Sequence, residues 1–329
     1  MIPAFARNAR PRRFPLFNLQ RRALLSTSLR VSAPRKQSIA PLAPLGVRAA
    51  LEAAPSISGI KPQPKILEEF KLTDRVAIVS GGNGGLGLEM AMVLCEAGAR
   101  AVYCVDLQPT PSESFQHVAS FVSKMPVPAR LEYRTADVTN QEMMWQLGED
   151  IGNAEGRMDI CVAAAGILKP NIDCLDYPAA TFREVMDVNV NGVMFTAQAA
   201  GRQMRRFKTP GSIILIASMS GTVQNRGHQW VSYNTSKSAV LQMGRSMACE
   251  LAVNGIRVNT ISPGHIYTPM TAGYLDKFPE LLAHWSDLNP TGRIGRTDEV
   301  RGLVAWLASD ASTYMTGSDI LIDGGHHAW

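Results

Sequence analysis

Acidic side chains are absent from the first 51 residues of this 329-residue chain, a stretch that holds ten of its 33 lysines and arginines. From Glu52 to the end, 23 basic residues face 28 acidic ones, a net −5, although the whole chain is formally +5. That mildly acidic body lacks the basic face a nucleic-acid partner requires, and the positive charge belongs to the N-terminal stretch. No uninterrupted apolar run approaches the ~20 residues of a transmembrane helix, so no membrane span is expected. Cysteine is scarce. The five present (Cys95, Cys104, Cys161, Cys174 and Cys249) form no CxxC pair, which favours small buried thiols in a reducing compartment over zinc or redox chemistry. His228, His265, His284, His326 and His327 show no metal-ligand spacing and His117 reads as a surface residue, so no metal is expected.

What is present divides near residue 65. Nine of the 20 prolines lie between Pro3 and Pro64, in a background of Arg, Ser, Ala and Leu. Leu16, Phe17, Leu19, Ala23 and Leu24 fall on one side of a helical wheel, with Arg21 and Arg22 opposite. An Arg-rich, Ser-bearing, acid-free, amphipathic segment has the composition of an organelle transit peptide. The run Arg21-Arg22-Ala23-Leu24-Leu25-Ser26-Thr27-Ser28 resembles the processing regions of mitochondrial presequences. Residues 1–65 are expected to be a disordered presequence and linker that directs the protein to the mitochondrial matrix. As a mere basic tail, the same stretch would leave the protein cytoplasmic. Its prolines interrupt any long helix and weigh against a membrane-surface anchor.

After about Ile66 the pattern becomes one of alternating elements. Strands are expected at 76–80, 101–106, 130–135, 158–164, 212–217, 256–261 and 319–322. Helices are expected at 86–97, 181–206, 232–253 and 297–309, while 268–289 is less regular. This order predicts an α/β fold, a single Rossmann-type domain over 66–329 with a doubly wound parallel sheet and helices on both faces.

The first strand runs into Ser80-Gly81-Gly82-Asn83-Gly84-Gly85-Leu86-Gly87 and then directly into a helix. Glycines allow a tight turn and close backbone approach to a pyrophosphate, and the helix N-terminus offers free N–H groups. Asp106 ends the second strand nineteen residues after Gly87, the spacing of a carboxylate that accepts from adenosine ribose hydroxyls. A 2′-phosphate would be repelled there, and neither Asn83, Gly84 nor Leu107 supplies a compensating cation, so NAD is favoured over NADP.

Tyr233-Asn234-Thr235-Ser236-Lys237 opens the helix after the fifth strand, and residues four apart share a helix face. A free phenol has a pKa of ~10; a nearby ammonium favours its anion, and a shift of roughly three units would bring it into the range useful for proton transfer. Ser218 ends the fifth strand, where a hydroxyl can donate to a substrate carbonyl; Ser220 rivals it by position.

The spacing Gly81-x-x-x-Gly85-x-Gly87, in its strand context, resembles the short-chain dehydrogenase/reductase family. The resemblance covers nearly all of 72–329 and favours Ser218 over Ser220. It implies catalysis by Asn189, Ser218, Tyr233 and Lys237, with Lys237 also on the nicotinamide ribose and Asn189 holding a water that links Lys237 to solvent. A buried Asn189 that satisfies backbone groups remains a compatible alternative. The resemblance further implies that Gly81, Gly85, Leu86 and Gly87 line the pyrophosphate, that Asp137 and Val138 lie at the adenine, and that Ile266 and Thr268 lie at the carboxamide. One departure is Ala163-Ala164-Ala165-Gly166 where the family has Asn-Asn-Ala-Gly.

Substrate selection is left to 168–177, 220–232 and 265–289. Gly221 to Trp230 and the ending Asp323 to Trp329 resemble fungal polyol dehydrogenases of the mannitol, sorbitol and arabinitol type, which implies a sugar alcohol/ketose pair. A tailoring ketoreductase on a polyketide or terpenoid, a mitochondrial 3-oxoacyl reductase, and a non-catalytic NAD-binding module remain as alternatives. The family implies a homodimer or homotetramer, and His326-His327 could approach a neighbouring subunit's site.

Overall fold

The run Val76-Ala-Ile-Val79 is apolar at every position, and the strand is buried through Ser80, because both of its faces are covered. The computed structural model describes residues 46–53, 64–127 and 129–329. Its sheet contains β1 (Val76–Ser80), β2 (Ala101–Asp106), β3 (Arg130–Thr135), β4 (Ile160–Ala163), β5 (Gly211–Ile216), β6 (Ile256–Pro263) and β7 (Asp319–Ile322). The spatial order is β3-β2-β1-β4-β5-β6-β7, and every neighbouring pair is parallel. The helices are α1 (Gly46–Ala53), α2 (Gly85–Glu96), α3 (Glu113–Val122), α4 (Gln141–Glu155), α5 (Ala179–Met186), α6 (Val193–Phe207), α7 (Val231–Leu251), α8 (Pro269–Leu275), α9 (Pro279–Asp287) and α10 (Arg301–Ala308).

Side chains alternate across the sheet and build two cores. Ala77 and Val79 of β1 pack with Leu94 of α2 and Val304 and Leu307 of α10. Val76 and Ile78 pack on the other face with Met144 of α4, Met204 of α6 and Val240 of α7. Each large aliphatic side chain so buried contributes roughly 1.5–3 kcal/mol. The charged sequence of β3, Arg130-Leu-Glu-Tyr-Arg-Thr135, suits its edge position. After β3 the chain crosses back to lay β4 beside β1. Ser80 pairs with Val105 on one side and Ala163 on the other. The crevice at this reversal is where such sheets bind ligands.

Four strands, β1, β2, β3 and β7, have the expected bounds, and the other three agree within two residues. Two helices, α3 and α4, fill connections where no element was marked. The stretch 268–289 folds into α8 and α9, and the long helix of 181–206 is interrupted by a π-helical turn at Asp187–Gly192. The predicted amphipathic segment of the leader lies outside the described residues; α1 falls within the leader and exposes Val47 and Leu51. Cys95, Cys104 and Cys161 are buried as expected, whereas Cys174 and Cys249 are exposed. Among the described residues, no helix is long and apolar enough to cross a membrane, and no His/Cys/Asp/Glu group could hold a metal ion.

Candidate active site

The turn between β1 and α2 is built by close approach. Gly81 has φ +70°, and a Cβ there would lie 2.9 Å from the Ala165 Cα. A Cβ on Gly87 would lie 2.1 Å from the Gly81 carbonyl oxygen, so only glycine lets α2 pack onto the turn. Gly85 opens the helix, Leu86 packs against the core beneath it, and the N-cap Gly84 supplies no side chain to cap the first N–H groups. This glycine cradle at an uncapped helix N-terminus fits a dinucleotide pyrophosphate. Ser80 Oγ accepts from Ala165 N at 3.4 Å, tying the turn to the strand end where the two family asparagines are missing.

Asp106 stands beside the cradle. Its carboxylate accepts from Asn83 N at 3.2 Å and Leu107 N at 2.8 Å. The Asn83 side chain is turned away, accepting from Ser112 N at 2.7 Å. Asp137, just past β3, accepts from the Thr139 amide and hydroxyl at 2.9 and 2.7 Å. Val138 is buried against Gly192. Ile266 bridges to Gly295, and Thr268 exchanges hydrogen bonds with Thr271 at the start of α8. Pro269 Cδ lies 3.5 Å from where a Gly85 Cβ would be, so this segment borders the glycine turn.

Tyr233 and Lys237 lie one turn apart on α7, with the Lys237 Nζ 5.6 Å from the Tyr233 ring centre. Lys237 is buried and donates to Ile216 O at 2.9 Å; burial pushes its pKa down to about 8. Burial raises the Tyr233 phenol, while the Ser218 hydroxyl acts in the opposite sense. In the protein alone, therefore, desolvation sets the direction of the phenol's shift. Ser220 Oγ is occupied by Asn225 Nδ2 at 2.7 Å, which leaves Ser218 as the serine beside the phenol.

Asn189 sits on the π-helical turn, fully buried. Its amide accepts from Ile167 N at 2.8 Å and donates to Ile167 O at 2.9 Å and Ser236 Oγ at 3.1 Å. The side chain therefore satisfies backbone groups, the alternative noted above. A Cβ on Gly166 would fall 3.3 Å from its Oδ1 and 3.6 Å from Lys237 Nζ, so Asn189 shapes the pocket that holds the ammonium.

Trp285 of α9, not singled out in the sequence, joins Trp230 and Leu275 in a small buried cluster touched by Tyr233. Only the irregularity of 265–289 signalled a substrate wall there. The C-terminus folds back on its own chain: His327 bonds Asp323 and Thr222, His326 bonds Asn289, and Trp329 Nε1 donates to Leu288 O. Placement of the two histidines beside this wall needs no neighbouring subunit.

A family model described as enoyl-(acyl carrier protein) reductase matches residues 81–327. The chain is 37% identical to sorbose reductase of Schizosaccharomyces pombe, over 78% of this chain and 97% of the relative. It is 36% identical to an L-tagatose-forming galactitol 2-dehydrogenase of Cereibacter sphaeroides, over 79% and 98%. Among solved structures, a gluconate 5-dehydrogenase from Burkholderia cenocepacia in complex with NADP and tartrate is 27% identical with a TM-score of 0.73, over 80% of this chain and 99% of that one. A short-chain type dehydrogenase/reductase from Mycobacterium marinum is 38% identical with a TM-score of 0.72, over 79% and 98%. With the glycine cradle, the switch-point crevice and the Ser218–Tyr233–Lys237 cluster already in place, these likenesses show that the chain belongs to the short-chain dehydrogenase/reductase family.

Proposed function

We propose that this protein interconverts a secondary alcohol and a ketone with NAD(H), and that its substrate is a sugar alcohol/ketose pair. The observation that carries the reaction is the grouping of Tyr233 with Ser218 and Lys237, whose Nζ lies beside Gly166, next along the chain to the Ala165 that abuts Gly81 of the cradle. Relatives named sorbose reductase, galactitol 2-dehydrogenase and D-arabinitol 2-dehydrogenase support the substrate class. A bound nicotinamide dinucleotide supplies the hydride acceptor or donor. The Tyr233 oxygen takes the carbinol proton during oxidation and returns it during reduction. Ser218 donates to the same substrate oxygen, and the Lys237 ammonium stabilises the phenolate. Asn189 fixes Ile167 and Ser236 around Lys237.

Asp106 supports NAD over NADP, since its carboxylate borders the turn where a 2′-phosphate would lie. A panel of pentitols, hexitols, ketoses and apolar ketones, assayed with both cofactors, tests substrate and cofactor together. The expected result is NAD-dependent polyol oxidation. Asp106→Ser should shift the NAD-to-NADP ratio of kcat/KM towards NADP by ten-fold or more, roughly the worth of one charged hydrogen bond. Exclusive NADP use by the wild type would overturn the cofactor assignment. Turnover of apolar ketones alone would favour the tailoring-ketoreductase reading, which the cluster of Trp230, Leu275 and Trp285 supports.

The basic, acid-free N-terminus supports delivery to the mitochondrial matrix. Residues 1–65 fused to a fluorescent reporter should carry it into mitochondria, and a diffuse cytosolic signal would end that proposal. We also propose a homodimer or homotetramer, as the family implies, which light scattering on the purified protein measures.

A further inference from the structure

Polar atoms that the proton chemistry leaves unused gather around Trp285, in the ring cluster that Tyr233 touches. Both ring nitrogens of His265, the indole Nε1 of Trp230 and the Nδ1 of His228 are buried without a hydrogen-bond partner. His265 and Trp230 are each only 7% exposed. Buried polar groups are ordinarily paired, so such a concentration calls for a missing partner. The residues come from separate elements that converge. His265 follows β6 and immediately precedes Ile266; its ring stacks on Trp285 at 4.6 Å and 15°. The Trp230 ring lies 6.4 Å from Trp285 and 6.4 Å from Tyr233. This continuous wall leads from His265 to the phenol.

Protonation states narrow the partner. Burial, then His326, His228 and His284, pushes the His265 pKa down to about 3, so the ring is neutral and carries one N–H donor and one acceptor on opposite sides. The Trp285 indole donates to His228 Nε2 at 3.1 Å, which places the proton of a neutral His228 on its unpartnered Nδ1. The wall thus offers donors at Trp230 and His228, and a donor and an acceptor at His265. Tyr233 and Ser218 already serve the oxygen of the reacting carbon. A plain ketone or monohydroxy alcohol has nothing left to pair with this wall, whereas each further hydroxyl of a polyol both donates and accepts.

We propose that His265, with the Trp230 indole, forms a hydroxyl-reading subsite for the substrate carbons next to the reacting carbinol, selecting polyhydroxylated chains over monohydroxy alcohols. This deepens the sugar alcohol/ketose reading and rests on it. His265 is then a specificity-determining residue, and Trp285 positions it through the ring stack.

His265→Phe keeps the aromatic stack and removes both nitrogens, whereas His265→Gln keeps a donor and an acceptor. Both are assayed with the best pentitol or hexitol and with 2-hexanol, and cofactor binding is followed by NADH fluorescence. His265→Phe should lower kcat/KM for the polyol about ten- to fifty-fold, chiefly through KM, as expected where hydrogen bonds to substrate hydroxyls are lost. Turnover of 2-hexanol should change less than about three-fold, NADH affinity should hold, and His265→Gln should recover most of the polyol activity. Titration calorimetry of the polyol into NADH-loaded protein gives the same comparison in binding, so a variant or substrate that turns over poorly still reports. Equal losses on both substrates, or an undiminished polyol kcat/KM, would overturn the subsite while leaving the proposed function intact. A wild type that neither oxidises nor binds any polyol would overturn both.

Discussion

Tyr233→Phe should fold, bind NADH as the wild type does, and lose alcohol oxidation by roughly 10³- to 10⁴-fold, the upper range for a positioned acid–base group. The substitution deletes one oxygen and leaves the ring. That ring keeps its edge contact with Trp230, 6.4 Å between centres at 72°, and its place in the Trp230–Trp285 cluster. Helix α7 should be unaffected, because no backbone group of Tyr233 depends on the phenol. What disappears is the titratable oxygen beside Ser218. Ser218 remains, but a serine hydroxyl cannot hold the carbinol proton near neutral pH. Steady-state kcat/KM with the best polyol, alongside NADH fluorescence, separates loss of proton transfer from loss of binding. A variant within ten-fold of wild-type oxidation would remove Tyr233 from the chemistry, and with it the proposed mechanism.

The sequence showed this site in proportion to how local its determinants are. Gly81, Gly85 and Gly87 stand out because a backbone turn needs them whatever surrounds it. Tyr233 and Lys237 are four apart because one helix face must carry both. The ends of β1, β2 and β7 were legible because apolar runs there stop at turns or charges, and those of β3 because Leu131 and Tyr133 alternate with charged residues. Helix α4 was not. Its interior glycines, Gly148 and Gly152, break the helical pattern, and they are present for a tertiary reason. A Cβ on Gly148 would come within 2.6 Å of the Ala199 carbonyl of α6, and one on Gly152 within 2.8 Å of Gln203. Asn189 was found as a residue, but its hydrogen bonds to Ile167, 22 positions away, follow from the packing of the π-helical turn on the β4 end. Trp285 was missed for a similar reason. It lies on α9, a short helix that starts at Pro279, and its importance arises only when β6 and α7 bring His265 and Trp230 to it.

The balance between Lys237 and its surroundings makes the second large effect. A buried ammonium whose pKa has fallen to about 8 is held at a cost, with a hydrogen bond to Ile216 O in partial return. A positive charge at such a range, with the Lys237 Nζ 5.6 Å from the Tyr233 ring centre, would stabilise a phenolate by about 3 kcal/mol at an effective dielectric of ~20, or roughly two pK units. Lys237→Met replaces it with an apolar chain that fits a buried site. At pH 7 the variant should lose roughly 10²-fold in kcat/KM from the phenol alone, and up to ~10³-fold with the nicotinamide-ribose contact that the family resemblance implies. The sign in pH follows from the charge. Oxidation needs the phenol deprotonated, so the rate rises with pH through the apparent pKa of the Tyr233–Lys237 pair. Without the ammonium that rise should move to higher pH by about two units. Thermal stability should move the other way: freed of a desolvated charge, Lys237→Met should melt no lower than wild type, as at sites where function opposes stability. A pH–rate profile with calorimetric melting reads both effects. An unshifted rise in the oxidation rate would show that Lys237 does not set the phenol's acidity, and a markedly lower melting point would show that the ammonium serves the fold.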